Sequence, residues 1–315
     1  MSSRKEILVF DNIPSLRSWR QQCIKQDKQV AFIPTMGSLH EGHLSLGKRR
    51  YVKQGSQHCP IVVVSIFVNP AQFAPNEDLD KYPRTLSNDL ELLRSLDCVD
   101  AVFLPKVEEI YPYGIPLDVE KQKGAFVEVR DKSHQMEGKS RPLFFRGVST
   151  VVTKLFNIVQ PNCVFFGQKD AQQCIVIRTL ISDLHFPIEM HVGTTGREYD
   201  GLAMSSRNKY LTPDQRNYAT TLFKGLSAIK NEFDQGEKNR EILLNKGYEL
   251  IEKVTKEVME KNLGFELKLD YLSLVDPRTL EELQEIEEEK GAILSGALYV
   301  GKTRVIDNLL LNCTL

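Results

Sequence analysis

Short apolar runs alternate with amphipathic segments along the first two thirds of the chain. The runs have the length and the continuous apolar character of strands that are buried on both faces. They occupy residues 30–33, 61–70, 100–104, 163–166 and 188–192. Helical spacing of apolar positions is found over residues 11–27, 40–54, 87–96, 148–159 and 170–182. This alternation predicts an α/β fold with a Rossmann-like, doubly wound parallel sheet.

The last third of the chain groups its elements differently. The predicted helices are residues 213–230, 237–261 and the acidic stretch 279–290, and the predicted strands are residues 267–275, 292–300 and 303–310. Such grouping of helices and strands is typical of a small α+β domain. We therefore expect a Rossmann-like domain over residues 1–195 and a smaller C-terminal α+β domain over residues 196–315 that covers the cleft.

Two segments of the first domain are harder to assign. Residues 73–85 are rich in turn-forming and charged residues, which predicts an irregular, mobile loop. Beyond the end of a strand, such a loop would serve either as a lid over a ligand or as a passive connection. Residues 105–147 show no clear period, although residues 125–129 have the composition of a strand. We assign no regular structure to the remainder of that segment.

Composition and charge argue against several classes of protein. The 315 residues carry 41 Lys and Arg against 42 Asp and Glu, a net charge of -1, so the basic excess typical of nucleic-acid binding is missing. The amino terminus lacks a signal-peptide pattern, and the apolar run 61–68 is far shorter than the roughly 20 residues of a membrane helix. The six cysteines form no C-x-x-C pair, which favours reduced thiols. We expect a soluble, cytoplasmic protein that binds neither nucleic acid nor membranes.

The first cluster of chemically active residues lies in the motif FIPTMGSLHEGH, where the first of these strands meets a predicted helix. Such a turn leaves backbone N–H groups near the positive end of a helix, where they suit a phosphate. His40 and His43 face the same way in the first helical turn, and Gly42 leaves room for a ligand. The alternative is an ordinary surface or core histidine pair. A zinc site is less favoured, because helical metal-binding histidines usually stand four residues apart.

A second cluster lies in the motif FGQKDAQQC, where another strand ends and a helix begins. Gly167 allows the turn, and Asp170 is suited either to capping the helix or to a ligand. Lys169 stands at the positive end of a helix, which is unfavourable unless an anion such as phosphate lies nearby. One of the two glutamines that follow, Gln172 or Gln173, should face the cleft.

The third cluster is the motif DGLAMSSRNKYL, next to the expected domain boundary. It has no clear periodicity. The hydroxyls of Ser205 and Ser206 and the guanidinium of Arg207 are suited to hold phosphate oxygens. The alternative is an ordinary polar loop or helix cap.

Five stretches, found in order along nearly the whole chain, together resemble the pantothenate synthetase (pantoate–β-alanine ligase) family. They are TMGSLHEGH, VSIFVNPAQFAPNEDLDKYPRT, FFRGVSTVVTKLFNIVQP, FGQKDAQQ and DGLAMSSRNKYL. The first resembles the His-x-Gly-His signature of the nucleotidylyltransferase and class I aminoacyl-tRNA synthetase superfamily. The last resembles the second phosphate-binding loop of that superfamily.

The resemblance implies a ligase that uses ATP to join pantoate to β-alanine through a pantoyl adenylate. It implies that the catalytic residues are His43, His40, Lys169, Ser205, Ser206 and Arg207. It implies ATP binding by Met36, Gly37, His40, Gly42, His43, Gly167, Lys169, Asp170, Gly196, Met204, Ser205, Ser206 and Arg207. It implies substrate binding by Gln72, Gln173 and Asn69. Magnesium is expected on the ATP phosphates, with Asp89 as a candidate outer ligand, and relatives are commonly homodimers.

The chain departs from the family pattern at two positions near the expected nucleotide site. Gly196 stands where many members have a valine against the adenine, and Gln168 replaces a frequent glutamate beside Lys169.

Two other functions compete with the ligase. One is another adenylate-forming or nucleotidylyl-transferring enzyme, although a tRNA synthetase would need a basic tRNA-binding surface. The other is a non-catalytic nucleotide-binding module, which the joint presence of His43, Lys169 and Arg207 disfavours.

Overall fold

The computed structural model describes residues 6–40, 59–75, 77–116 and 118–315. The chain forms two compact units. The parallel-sheet unit comprises Met1–Ser133, Arg141–Gly167 and Val176–Gly193, and the C-terminal unit comprises His134–Ser140, Gln168–Ile175 and Thr194–Leu315. In chain order the described helices are α1 Ile13–Lys25, α2 Leu86–Ser95, α3 Val107–Ile110, α4 Glu137–Ser140, α5 Phe144–Val159, α6 Ala171–Asp183, α7 Pro213–Tyr218, α8 Thr221–Asp234 and α9 Arg240–Glu260.

A six-stranded parallel sheet organises the first unit. Its strands are β1 Leu8–Phe10, β2 Val30–Thr35, β3 Ile61–Ile66, β4 Ala101–Phe103, β5 Cys163–Gly167 and β6 Glu189–Gly193. Their order across the sheet is β1-β4-β3-β2-β5-β6, and every pairing is parallel. The doubly wound prediction is therefore confirmed. The sequence prediction missed β1, a three-residue edge strand within the short apolar run 7–10, whose Leu8 and Val9 side chains are exposed.

The strand order places the change of winding direction between β2 and β5. From β2 the chain proceeds to β3 and β4 on one side, and it then crosses to β5 and β6 on the other side. In open α/β sheets, ligands bind beyond the carboxyl ends of the strands at such a point. The turns that leave β2, β3 and β5 are thus the expected source of ligand-binding side chains.

Helix α5 packs unusually closely on the turn that follows β3. Gly147 in this helix lies so close to the 3-10 helix Pro70–Gln72 that a Cβ atom would stand 2.1 Å from the carbonyl oxygen of Ala71. Most of the helix is buried, including Phe145, Val148 and Phe156. The absence of a side chain at Gly147 thus allows α5 to lie against the backbone of the turn beyond β3.

An antiparallel sheet forms the centre of the C-terminal unit. Strands β7 Leu267–Val275, β8 Ala292–Val300 and β9 Thr303–Leu311 pair in that order, and both pairings are antiparallel. Helices α8 and α9 supply fully buried residues such as Leu226, Ile229 and Leu243 to the same core as Leu294 and Leu298 of β8. The predicted α+β character of this region is therefore confirmed.

Three sequence-based element predictions are wrong. Residues 279–290 form no helix, because their backbone pairs with neighbouring segments: Leu283 N–H donates to the carbonyl of Leu274, and Ile286 N–H donates to the carbonyl of Lys238. Residues 125–129 form no strand, because both backbone groups of Val127 bond the Thr150 hydroxyl. The single helix predicted over residues 213–230 is divided into α7 and α8.

The remaining helix predictions have different outcomes. Helix α1 lies within the predicted range 11–27, and the Asn12 side chain caps it by accepting from the Ser15 N–H. His40 has no regular secondary structure. The rest of the predicted helix 40–54 falls outside the described residues. Of the described helices, none has both the length and the apolar character required to span a membrane.

Candidate active site

The turn that leaves β2 is held by side chains of its own unit. The Thr35 hydroxyl donates to the carbonyl of Ser65 at 2.8 Å and accepts from the Gly37 N–H at 3.2 Å. Asp89 of α2 accepts the N–H groups of Ser38 and Leu39 at 2.9 and 2.8 Å, one on each carboxylate oxygen. Contrary to our expectation, these three N–H groups bond within the protein and are not free to bind a phosphate.

Two further features fix the same turn. Gly37 has a φ of +78°, and a Cβ atom there would lie 2.8 Å from a methyl carbon of Ile66, so only glycine fits without displacement. Asp89 is 1% exposed and also accepts from the Thr85 hydroxyl at 3.0 Å. Both oxygens of Asp89 are thus engaged by protein donors, which argues against the expected role as an outer magnesium ligand.

The histidine motif is only partly described. His40 is the last residue before a gap and is partly buried. The other two motif residues, Gly42 and His43, lie outside the described residues. The described part of the turn shows how residues 36–40 are held, and the roles of the two histidines stay predictions.

The polar residues that follow β3 form a buried hydrogen-bond network. The Gln72 side-chain amide donates to the sulfur of Met36 at 3.2 Å, so the β2 and β3 turns are in contact. Asn69 donates to the Gln72 side-chain oxygen at 3.0 Å and to the carbonyl of Gly147 at 3.2 Å. Its own side-chain oxygen accepts from the Tyr111 hydroxyl at 2.8 Å and from the Ala71 N–H at 3.3 Å.

Asn69 and Gln72 differ in burial and in the role that this network gives them. Asn69 is 1% exposed and has protein partners on both polar atoms of its side chain, so it orients Gln72. Gln72 is only partly buried. Burial raises the pKa of the Tyr111 phenol well above its ordinary value, which keeps the hydroxyl protonated as a donor. Lys154, whose pKa burial lowers, places its ammonium nitrogen 4.2 Å from the centre of the Tyr111 ring.

The loop over residues 73–85 is irregular in its described residues but well anchored. Glu77 accepts from the guanidinium of Arg141 on both carboxylate oxygens, at 2.6 and 2.7 Å. The same guanidinium donates to the carbonyl of Gln72 at 3.2 Å. Phe73 and Tyr82 are buried, with their rings 5.9 Å apart. Through Arg141 the loop is thus linked to Gln72, whose side chain contacts Met36.

The Lys169 turn belongs to the C-terminal unit. Gln168–Asp170 form a 3-10 helix, in which the Lys169 ammonium lies 3.6 Å from a carboxylate oxygen of Asp170. Asn308 of β9 donates to the carbonyls of Gln168 and Lys169 at 2.8 and 2.9 Å. The Asp170 side chain is partly exposed. The turn thus presents the Lys169 ammonium and the Asp170 carboxylate, and β9 holds its backbone through Asn308.

The two glutamines after this turn behave differently. Gln172 is buried, accepts from the N–H of Glu137 at 3.0 Å and donates to the carbonyl of Gln135 at 2.9 Å. Gln173 is only partly buried. Of the two, Gln173 is therefore the better candidate to bind a ligand, in agreement with the residue chosen from the sequence.

A short hairpin precedes the serine and arginine motif. Arg197 and Ala203 form an isolated antiparallel bridge, and Met204 N–H donates to the carbonyl of Gly196 at 2.9 Å. Arg197 donates to both carboxylate oxygens of Asp307 in β9, at 2.6 and 2.9 Å. Burial raises the pKa of the Asp307 carboxyl, and the neighbouring charge of Arg197 opposes that shift.

A second ion pair holds the outer part of this hairpin. Arg216 of α7 donates to Asp200 at 2.7 Å and to Glu198 at 2.6 Å. Its hydrogen bond holds the pKa of the Asp200 carboxyl below the ordinary value, and the two carboxylates raise the pKa of Arg216. Asn208 then links Glu198 to the carbonyl of Ala203, at 3.1 Å in both bonds.

The serine and arginine motif continues directly from this hairpin. Ser205 caps the 3-10 helix Ser206–Tyr210 by accepting from the Arg207 N–H at 3.3 Å. Ser206 is buried, whereas Ser205 and Arg207 are partly exposed. Lys169 and Ser205 both line one small cavity of the C-terminal unit, together with Asp307 and Asn208. The structure therefore brings together two of the three segments expected to bind phosphate.

Sequence reasoning missed the residues that hold these segments, namely Tyr111, Gly147, Arg197, Asp307 and Asn308, and it gave Asp89 a different role, as a magnesium ligand. Asp89 has a weak signal, since it lies in the first turn of a predicted helix, where carboxylates bind backbone N–H groups. The others have none, because their partners are 40 or more residues away or, for Arg197, on a strand at the far end of the chain.

Comparisons with known proteins agree with the arrangement of these motifs. The model of the pantoate-beta-alanine ligase family matches residues 8–310. The pantoate–beta-alanine ligase of Saccharomyces cerevisiae is 42% identical over 316 residues, which cover 96% of this chain and 99% of the yeast protein.

Solved structures give the same result. The pantothenate synthetase of Thermus thermophilus is 39% identical with a TM-score of 0.82, covering 96% of this chain and 99% of that chain. The pantoate-beta-alanine ligase of Francisella tularensis, complexed with beta-gamma ATP and beta-alanine, is 34% identical with a TM-score of 0.71, covering 98% and 99%. The chain therefore belongs to the pantoate–β-alanine ligase family.

Proposed function

We propose that the chain catalyses the ATP-dependent condensation of (R)-pantoate with β-alanine to pantothenate, releasing AMP and pyrophosphate. The observation that carries this proposal is the 42% identity to the yeast ligase over nearly the full length of both chains. The contact between Met36 and Gln72, and the cavity shared by Lys169 and Ser205, support it independently. Each contact joins two motifs that are distant in sequence.

The first step activates the pantoate carboxylate. A carboxylate is a poor acyl donor because oxide is a poor leaving group, so its oxygen attacks the α-phosphorus of ATP and pyrophosphate leaves. The barrier falls when fixed cations and hydrogen-bond donors face the phosphate oxygens that gain charge. We assign this role to His43, His40, Lys169, Ser205, Ser206 and Arg207. A carboxylate nucleophile has no proton to lose, so His43 acts as a donor.

The remaining assignments follow the same reasoning. Further ATP contacts are assigned to Met36, Gly37, Gly42, Gly167, Asp170, Gly196 and Met204, with Asp170 on the ribose. Gln72 and Gln173 bind pantoate, because a side-chain amide offers both a donor and an acceptor to a substrate with hydroxyl groups. Asn69 contributes by orienting Gln72. The proposal keeps the division into a Rossmann-like domain over residues 1–195 and a C-terminal α+β domain over residues 196–315.

The second step forms the amide bond. The nitrogen lone pair of β-alanine attacks the acyl carbon of the adenylate, the bond from that carbon to the AMP oxygen breaks, and the amine proton passes to solvent or to phosphate. None of the residues that we assign to pantoate or β-alanine is an obvious general base, so we assign to them the role of holding the adenylate and the amine in reacting geometry.

Magnesium, quaternary structure and location complete the proposal. No group of three or more His, Cys, Asp or Glu side chains that could hold a metal is found among the described residues. We propose that Mg²⁺ would be held mainly by the phosphates of bound ATP and would neutralise part of their negative charge. We also propose that the enzyme is a cytoplasmic homodimer, in line with the composition and with its family.

Isotope exchange between ATP and pyrophosphate tests the function. Exchange should require pantoate, and AMP should form only when β-alanine is added. Exchange that occurs with another acid but not with pantoate would overturn the proposal.

His43→Ala should lower the exchange rate by roughly 10² or more while the protein still folds. His134→Ala, at an exposed histidine outside the motifs, is the matched control and should leave the rate unchanged.

A further inference from the structure

Strand β9 carries two adjacent polar residues that are almost completely buried. Asp307 is 5% exposed and Asn308 is 1% exposed. Burying a carboxylate and an amide in a small domain is costly unless they find specific partners. Their partners lie in two segments that are distant in sequence, the turn at Lys169 and the hairpin that leads to Ser205.

Asn308 holds the Lys169 turn through consecutive backbone groups. Its side-chain nitrogen donates to the carbonyls of Gln168 and Lys169 at 2.8 and 2.9 Å, and its oxygen accepts from the Gln168 side chain at 3.3 Å. Because two successive peptide carbonyls are fixed by one amide, the direction in which the Lys169 side chain leaves the backbone is fixed as well.

Asp307 holds the hairpin through Arg197. The guanidinium bonds both oxygens of Asp307, and it also donates to the carbonyl of Gly201 at 2.9 Å and to the carbonyl of Asn308 at 3.3 Å. It also lies over the ring of Phe223, 4.3 Å from its centre. One arginine thus spans the hairpin from residue 197 to residue 201 and fastens it to β9.

Asp307 also links Arg197, which holds the hairpin, to Asn308, which holds the Lys169 turn. One of its oxygens accepts the N–H of Asn308 at 2.8 Å, so the carboxylate and the amide are held as a pair. The same carboxylate lines the cavity shared by Lys169 and Ser205. Burial raises the pKa of the Asp307 carboxyl, the hydrogen bonds and charge of Arg197 oppose that shift, and the charge of Lys169 adds a smaller effect in the same direction as Arg197.

We infer that Asp307 and Asn308 are positioning residues that set the placement of Lys169 relative to the Ser205–Arg207 segment, and hence the affinity for ATP. This inference rests on the proposed function, since it assigns both segments to the ATP phosphates. Only the affinity for ATP should depend on these two residues, and the affinity for pantoate should not. Gln72, which we assign to pantoate, is held by a separate set of residues in the other unit.

The steady-state KM values separate positioning from mere structural support. Asn308→Ala removes three hydrogen bonds and should raise the KM for ATP roughly tenfold or more, while the KM for pantoate changes less than about threefold. Asp307→Asn is nearly isosteric, is expected to fold, and should raise the KM for ATP by several fold. Arg197→Lys keeps the charge but loses the paired contact, so its effect should be smaller than that of Asp307→Asn.

A stability-matched control completes the design. Asn239→Ala removes the cap of α9, which accepts the N–H groups of Glu241 and Ile242, and it touches neither segment. It should lower Tm without changing the KM for ATP. Calorimetric titration of each variant with ATP alone should repeat the order seen in KM, which gives a readout independent of turnover.

The outcomes are distinguishable. A wild-type KM for ATP in Asp307→Asn and in folded Asn308→Ala would overturn the inference, and so would an equal rise in Asn239→Ala. Should Asn308→Ala fail to fold, Asp307→Asn and Arg197→Lys decide the question. Failure of the proposed function would instead appear in the wild-type chain, as pyrophosphate exchange that does not depend on pantoate.

Discussion

The two units hold their candidate site residues by different kinds of interaction. In the parallel-sheet unit, Met36 and Gln72 are held by hydrogen bonds to amides, hydroxyls and backbone groups, centred on Asn69 and Asp89, each 1% exposed. In the C-terminal unit, the outer part of the hairpin before Ser205 is held by the pairs of Arg216 with Glu198 and Asp200, which lie nearer the surface. The first arrangement positions by buried hydrogen bonds and the second mainly by charge.

This difference predicts unequal consequences of mutation. Removing one partner of a buried hydrogen bond leaves the other unsatisfied away from water, which costs about 1–3 kcal/mol. An ion pair within reach of solvent contributes about 0–1 kcal/mol and weakens as salt rises. The parallel-sheet unit should therefore be sensitive to single changes and insensitive to salt. The outer hairpin of the C-terminal unit should show the reverse.

The largest effect is expected from Gly147→Ala. The added methyl would stand 2.1 Å from the carbonyl oxygen of Ala71, so α5 or the turn beyond β3 must move, and Asn69 then loses its bond to the Gly147 carbonyl. The free energy of unfolding should fall by about 3 kcal/mol, measured by urea titration, and the KM for pantoate should rise.

The matched control is Gly225→Ala, also within a helix. There a Cβ atom would lie 3.0 Å from the end of the Ile251 side chain, which can adjust its rotamer. We expect a change below about 1 kcal/mol, because the gain in helix propensity offsets the crowding. Equal losses in the two variants would show that contact of α5 with the backbone at residue 71 has no special importance.

Asp89→Asn should have the next largest effect. The carboxylate uses one oxygen for the Ser38 N–H and the other for the Leu39 N–H, whereas an amide has only one acceptor. A backbone N–H is then left facing an NH₂ group, which should cost about 2–3 kcal/mol in urea titration. Pyrophosphate exchange should fall roughly tenfold, since residues 36–40 lead into the histidine motif.

Asp276→Asn provides a direct comparison for Asp89→Asn. At Asp276 a single oxygen accepts both backbone N–H groups, those of Arg278 and Thr279, at 2.8 and 2.9 Å. An asparagine retains that oxygen, so stability at pH 7 should change by less than about 1 kcal/mol. If Asp276→Asn costs as much as Asp89→Asn, the number of available acceptors does not explain the role of Asp89.

Tyr111→Phe tests the buried network at lower cost. It removes one hydroxyl, which donates to Asn69 at 2.8 Å, and leaves the Ala71 N–H on the same acceptor. The free energy of unfolding should fall by about 1 kcal/mol, and the KM for pantoate should rise a few fold as Gln72 loses support. Tyr113→Phe is the control, because that ring is 71% exposed, and neither quantity should change.

The sequence was sufficient to predict the parallel sheet because each buried strand carries its own apolar signal. The strands at 30–35, 61–66 and 163–167 contain continuous apolar runs, as expected of strands that are buried on both faces. The edge strand β1 was missed because its apolar run is only four residues long. The acidic stretch 279–290 carries apolar residues at helical spacing, but Leu280 and Ile286 are buried without a helix because the backbone pairs with β7 and α9.

The candidate site was predictable where a motif lies next to a strand end, and unpredictable where one motif is held by another part of the chain. Lys169 and Ser205 were identified from local composition and resemblance, and they line one cavity. Their supports, Asp307 and Asn308, lie about 100 or more residues away within a strand whose sequence indicates only β structure. Tertiary contacts decide such roles, so local patterns contain no information about them.

The smallest effect is expected from Asp200→Asn, and it should depend on pH. The hydrogen bond from Arg216 holds the pKa of Asp200 below its ordinary value of 3.8 in the folded protein. A carboxyl with a lowered folded-state pKa stabilises the fold above its unfolded-state pKa, and that contribution is lost as the pH falls through the folded-state pKa. The side chain is 26% exposed, so at pH 7 the substitution should cost less than about 1 kcal/mol.

Urea titrations at pH 7 and pH 3, each at low and high salt, measure this dependence. The difference between wild type and Asp200→Asn should be largest at pH 7 in low salt, and it should shrink both at pH 3 and in high salt. Asp234→Asn, which breaks an exposed helical pair with Lys230 at 2.7 Å, gives the scale of an ordinary surface ion pair. A loss in Asp200→Asn that equals that of Asp89→Asn and ignores salt would contradict the contrast between the two units. The outer hairpin would then be held by buried hydrogen bonding, as the turn beyond β2 is.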